Sequence, residues 1–263
     1  MSAPSRDELI THLLEHRIAG DVRTSRQSNL RNVERMLDGD PLYVFGLQID
    51  AQWTPASVLA VMAARVGVSA DPDHREGADR IDPELTMNRL DAMRDELRAV
   101  AARRGRVVLA SGHPTGIVEL HLAIARALRA AGCHVLLAGA GETYERHLSL
   151  GQTARREIRY IGGVAMVSDG ASLKHTHAPD GMQTILRALA AAGEPPPDLV
   201  VADHGYAGAA GQAGVRTVGF ADSNDPALFV GEATGQVAVA VPLDDNVLPH
   251  LYEPLARYVI DGL

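Results

Sequence analysis

Thiols and lysines are almost missing from this 263-residue chain, which has one cysteine, Cys133, and one lysine, Lys174, in a background dense in arginine. A single cysteine excludes an intramolecular disulfide and any zinc site built from several thiolates, and leaves Cys133 as a small buried apolar residue. No stretch reaches the ~18 uninterrupted apolar residues of a membrane span. The first residues, Met-Ser-Ala-Pro-Ser-Arg-Asp-Glu, lack the basic start and apolar run of a signal peptide, so a cytoplasmic location is expected. An excess of basic charge is also absent. The formal charge is -8 with a pI near 5.7, which disfavours nucleic acid or a membrane as the main partner and leaves a homo-oligomer open.

Several catalytic signatures are missing too. Cys133 opens no Cys-x5-Arg loop, Arg-His-Gly does not occur, and neither Asp50-Ala-Gln nor Asp222-Ser-Asn makes an Asp-x-Asp. There is no Gly-x-Ser-x-Gly elbow and no Gly-x4-Gly-Lys-Ser/Thr phosphate loop. Gly139-Ala-Gly141 follows an apolar run, but Tyr144 stands where a dinucleotide fingerprint needs its third glycine.

What is present divides near Gly105. Residues 7–17, 27–37, 55–66 and 83–103 show helical apolar spacing with polar faces. Short apolar runs then alternate with Ala- and Leu-rich helical stretches; 107–110, 134–138, 158–167, 199–202, 215–220 and 237–241 read as six strands. Continuous apolar runs suit strands covered on both faces. The expected fold is α/β, a mainly parallel, doubly wound (Rossmann-like) sheet with an N-terminal helical region: a flanking part over 1–104 and a catalytic part over 105–263. Residues 139–157 read as a helical insertion or a lid.

Polar loops follow five of the strands: 111–116, 168–177, 203–206, 222–225 and 244–246. In a parallel sheet, carboxyl ends share one edge, where open α/β sheets place their ligands. In the densest loop, His175 and His177 alternate as a metal-binding pair would, with Asp169 and Lys174 beside them as further catalytic candidates. The bland alternative is two surface histidines and a lysine that stands out only against an arginine bias. Ser111, Gly112, His113, Thr115 and Gly116 would cradle a phosphate at a helix N-terminus, or form an ordinary turn capped by Thr115. Asp222, Asp225, Asp244 and Asp203 suit a divalent metal, Mg2+ by their oxygen chemistry, although Asp225 and Asn246 are also natural helix caps. Arg23, Arg26, Arg31 and Arg35 could clamp a phosphate or simply form a solvated helix face. Tyr43, Phe45 and Trp53 read as packing residues.

The combination Ser111-Gly-His-Pro-Thr-Gly116, Ser168-Asp-Gly-Ala-Ser to His175-Thr-His177, Asp203-His-Gly-Tyr-Ala-Gly208, Gly219-Phe-Ala-Asp-Ser-Asn-Asp-Pro226 and Val241-Pro-Leu-Asp-Asp-Asn-Val247 resembles a bacterial, chiefly actinobacterial, family labelled phosphatase. The resemblance spans most of the chain and is densest after residue 105. It implies hydrolysis of a small phosphorylated substrate and carries no residue roles with it. Joined to the loop pattern, it gives the expectation of a metal-assisted phosphomonoesterase. A lyase or cyclase acting on a small carboxylic acid, using Lys174 or a histidine to move a proton, is the rival enzyme. A non-catalytic sugar-phosphate or nucleotide-binding module is the third reading.

Overall fold

The computed structural model describes residues 2–147 and 152–263. The N-terminal part runs α1 (Arg6–Glu15), β1 (Gly20–Ser25), α2 (Arg26–Leu37), α3 (Pro55–Val66), β2 (Ala78–Ile81) and α4 (Pro83–Ala102). All four helices fall where the apolar spacing puts them. Each starts on a side-chain cap, since Ser5, Ser25, Thr54 and Asp82 accept from N–H groups of the first turn. The sequence pattern did not reveal β1 and β2, which pair as a short antiparallel ribbon.

After Gly105 come β3 (Arg106–Ala110), α5 (Val118–Ala130), β4 (His134–Val135), β5 (Thr143–His147), β6 (Thr153–Ile161), β7 (Val164–Ser168) and β8 (Leu173–Lys174). They are followed by α6 (Asp180–Ala191), β9 (Leu199–Asp203), α7 (His204–Gln212), β10 (Thr217–Ala221), α8 (Pro226–Ala233), β11 (Val239–Pro242) and α9 (Glu253–Ile260). The sheet order is β11-β10-β9-β3-β7-β6-β5, with β4 beside β3 and β8 beside β7. From β11 to β7 the pairing is parallel, while β5, β6 and β8 join antiparallel. The fold is α/β, with a mainly parallel, Rossmann-like sheet. Strands β7, β9, β10 and β11 are buried at every residue, which is why they appear as unbroken apolar runs.

Two expectations need correction. Residues 158–167 are not one strand: Gly162 and Gly163 both take positive φ and turn the chain from β6 into antiparallel β7. A Gly-Gly pair favours that two-residue hairpin because neither residue bears a Cβ. The segment 139–157 is not a helical insertion where it is described. It contributes β5 and most of β6, an antiparallel arm at the sheet edge, and 148–151 lie outside the described residues.

Helices α1, α4, α5 and α9 pack together, and α2, α3, α6, α7 and α8 form a second group, so the sheet is flanked by two layers. Buried apolar residues of both parts of the chain, Leu13 and Leu90 with Val108 and Val201, belong to one core. Among the described residues, no helix is long and apolar enough to cross a membrane. The chain leaves β3 toward β4 and β7 but leaves β9 toward β10, so the connections that follow these paired neighbouring strands diverge. Such a divergence opens a crevice between the two loops.

Candidate functional site

A cleft of about 440 Å³ occupies that crevice. Its floor comes from all five polar loops, through His113, His175, His177, His204, Asp222 and the run Asp244-Asp245-Asn246. The N-terminal part roofs it with Arg23 and Thr24 of β1, Ser28, Arg31 and Asn32 of α2, and Tyr43. Hydrogen bonds tie roof to floor. Thr24 Oγ1 donates to Asp222 Oδ2 at 2.5 Å, Asn32 Nδ2 to the Asn224 carbonyl at 2.7 Å, and the Asp244 N–H to the Ile18 carbonyl at 2.8 Å.

The turn from β9 into α7 fixes the centre of this floor. His204 sits there at φ 44, a left-handed conformation that a side chain other than glycine adopts at a cost. Gly205 follows because a Cβ would lie 2.3 Å from the His177 carbonyl oxygen. The strained turn aims the buried His204 ring at the carboxylates of β10 and β11. Its Nδ1 lies 3.1 Å from Asp203 Oδ1, and its Nε2 lies 3.5 Å from Asp225 Oδ2 and 3.3 Å from Asp245 Oδ2. Phe45 meets both His177 and His204 edge-on, with ring centres 5.3 and 5.5 Å apart, so this packing residue orients site imidazoles.

Asp203 acts as an anchor. It is fully buried, accepts from Ser111 Oγ at 2.6 Å and from the Gly112 N–H, and faces His204. Its oxygens are therefore committed to protein donors, so its expected place among the metal ligands becomes a place behind His204. The 111–116 loop is likewise committed. The His113 N–H donates to Ser111 Oγ, the Gly116 N–H to the His113 carbonyl, and the Gly112 carbonyl accepts from Thr176. A Cβ on Gly112 would lie 2.4 Å from the Thr176 carbonyl oxygen, and one on Gly116 2.3 Å from that of Asp245. These glycines accommodate the close approach of neighbouring loops. Thr115 is exposed, and α5 begins without any side-chain cap.

His113 instead joins the histidines and carboxylates, its Nδ1 3.2 Å from Asp245 Oδ2. Among the described residues, His113 Nδ1, Asp225 Oδ1 and Asp245 Oδ2 are buried without a hydrogen-bond partner. Bonds of about 2.0–2.1 Å to one ion at tetrahedral angles place ligand atoms roughly 3.3–3.5 Å apart. The observed separations of 3.2, 3.3 and 3.5 Å fit that spacing, so the donor set fits a divalent cation.

The charges agree. Burial pushes Asp222 well above the carboxylate range, with Asp245 and Asp244 adding repulsion, and raises Asp225 to about 6. Asp244 is raised by burial as well. Asp245 moves the other way, because His113 and His204 outweigh the cost of its burial. Burial opposes charge on His204, yet Asp225, Asp203 and Asp245 overcome it and lift the ring to about 10. In the protein alone, His204 holds a proton amid the carboxylates. His175 and His177 are lowered to about 4 and about 3, first by burial and then by neighbouring histidines, so both are neutral near pH 7. Their Nε2 atoms lie 3.1 Å apart.

Asp169 and Lys174 stand apart from this cleft. They pair with each other at 2.5 Å across the turn between β7 and β8, and neither lines the cleft. Of the four arginines, Arg26 is buried against Asp79 and Arg35 pairs with Asp40, whereas Arg23 and Arg31 are exposed at the cleft. Asp225 makes no capping bond at α8, and its Oδ2 accepts from the Asp222 N–H. From the sequence, His204 is a residue that could complete a mixed oxygen and nitrogen site with Asp169 and Asp203, and Asp245 is part of the acidic run 244–246 in which Asp244 is preferred; the structure brings His204 and Asp245 together in the cleft.

A profile of the family called Phosphatase matches residues 4–263. A Streptomyces coelicolor protein named as a phosphatase is 47% identical over 259 residues, covering 98% of this chain and 95% of that protein. Likeness of that extent carries through the N-terminal roof as well as the loops beneath it, and the chain belongs to this bacterial phosphatase family.

Proposed function

We propose that the protein hydrolyses a small phosphomonoester in this cleft with a divalent cation held by His113, His204, Asp225 and Asp245. The observation that carries the reading is the convergence of His204, Asp225 and Asp245, whose ligand atoms lie within 4.8 Å of one another, with the buried, unpartnered His113 Nδ1 3.2 Å from the equally unpartnered Asp245 Oδ2. Leaving such atoms unpaired costs about 1–3 kcal/mol each unless a ligand satisfies them. Two imidazoles in the set favour Mn2+, Fe2+ or Zn2+ over the Mg2+ expected from carboxylates alone. When bound, a cation there would supply charge neutralisation at the phosphoryl group and lower the pKa of water.

The remaining roles belong to the chain. Asp203 holds the Nδ1 side of His204 so that Nε2 faces the carboxylates. Arg23 and Arg31, exposed at the rim of the cleft, hold the outer phosphate oxygens. Neutral His175 takes a proton from the attacking water as the new P–O bond forms, and returns it to the ester oxygen as the old bond breaks. His177, 3.1 Å away, orients that ring. The carboxylic-acid lyase finds less support, because the glycine loop is filled by protein neighbours and Lys174 is paired outside the cleft.

Phosphate release from a panel of small phosphomonoesters, before and after chelation and with metal add-back, tests the proposal. Activity is expected to vanish on chelation and return with Mn2+ or Zn2+. Turnover indifferent to chelator removes the cation from the account.

A further inference from the structure

We infer that the centre takes a second cation of different character on Asp222, Asp244 and Asp245, so that Asp245 bridges two ions. This rests on the metal-assisted reading above and extends it. Carboxylate oxygens of the three residues lie within 4.8 Å of one another, at the ends of β10 and β11. None of the three is more than 6% exposed. Like charges at that range and depth repel strongly without a counter-charge, and among the described residues neither Asp222 nor Asp244 has an ion-pair partner.

The bonds these carboxylates do make leave room for an ion. Asp222 accepts from Thr24 Oγ1 and the Ser223 N–H, and Asp244 Oδ1 accepts from the Asn246 N–H. Each carboxylate oxygen has a further lone pair to offer. A buried oxygen outside the cluster is also unpartnered: Asn32 Oδ1, on a residue 5% exposed that lines the same cleft and whose Nδ2 donates to the Asn224 carbonyl in the loop that carries Asp222. A second observation therefore points to a ligand beyond the acidic cluster itself.

The two donor sets are chemically unlike. His204, Asp225 and Asp245, with His113 beside them, make a mixed nitrogen and oxygen group at one pole, and Asp222, Asp244 and Asp245 make an oxygen group at the other, with Asp245 common to both. Oxygen donors alone suit a hard cation such as Mg2+ or Mn2+, whereas the imidazole pole suits a borderline transition metal. A carboxylate shared between two ions is the arrangement by which paired cations stabilise both the attacking and the leaving oxygen of a phosphoryl transfer.

The test is metal content. Chelator-stripped full-length protein is loaded with Mn2+, desalted and assayed by mass spectrometry for metal, with calorimetric titration in parallel. Two ions per chain are expected for the wild type and one for Asp222→Asn/Asp244→Asn, with the surviving ion lost on His113→Ala/His204→Gln. Asp244→Ser alone, which forgoes only the bonds from the Asn246 and Arg23 N–H groups, guards against misfolding of the double variant, and circular dichroism checks each protein. A single ion in the wild type, or a count unchanged in both aspartate variants, overturns the second site while leaving the first standing. No bound ion in the wild type overturns both.

Discussion

At the scale of single residues, function turns on who occupies each lone pair. Asp203 looks like a ligand by type, yet Ser111, Gly112 and His204 absorb its oxygens. Its value lies in aiming His204. Asp203→Asn is expected to weaken divalent-cation affinity about 10–100-fold, the usual cost of losing a carboxylate behind a ligating histidine, as measured by calorimetry. His175→Gln has a different signature, with kcat falling about 10²–10⁴-fold while cation affinity holds. Should affinity fall in step with kcat, His175 is a ligand and not the base. For Arg31→Met, KM should rise about tenfold with kcat held, the low end for a hydrogen bond to a charged group at a wet rim. The sequence brought His175, His177, Asp222, Asp225 and Asp244 under one heading because strand ends share an edge. It ranked Asp244 above Asp245 for lying nearer its strand, whereas both are buried in the cleft and only Asp245 reaches His113 and His204. It could not show that Lys174 spends its charge on Asp169.

Among the elements, the tightest constraint is how closely the loops approach one another. Gly112→Ala should destabilise the protein by about 1–3 kcal/mol, read as a lowered urea midpoint, because its Cβ meets the Thr176 carbonyl oxygen at 2.4 Å. Were the loop an anion cradle instead, phosphate affinity would drop with the midpoint unmoved. The long amphipathic helices were legible from spacing and caps, and the central parallel strands from their unbroken apolar runs. The β6–β7 turn was lost in the run 158–167, where the Gly162-Gly163 pair was the one mark of reversal. Strands β2 and β8, four and two residues long, are too short to impose a period of their own.

For the whole molecule, the buried charges link cation binding to pH. His204 has its folded pKa raised to about 10, so the stability it contributes is complete below 6.5 and is lost as pH climbs toward 10. His113, Asp222 and Asp244 are raised as well and act in the same direction, while His175 and His177, lowered, have made their full contribution once pH exceeds about 6.5. Metal-free protein should therefore lose thermal stability from pH 7 to 9. A cation must displace the His204 proton to bind, so the rise in Tm caused by Mn2+ should grow over the same interval. A Tm increment independent of pH would mean that no proton leaves.

The hydrogen bonds that link Ile18, Thr24 and Asn32 with the loops after β10 and β11 join segments separated by about two hundred positions in the chain. Contacts between such remote segments form late, after local helices have appeared. In a refolding experiment, capture of Mn2+ would then trail the recovery of helical signal, and a Thr24→Val substitution would lengthen the lag. The same bonds that close the cleft would serve as a clock for the end of folding.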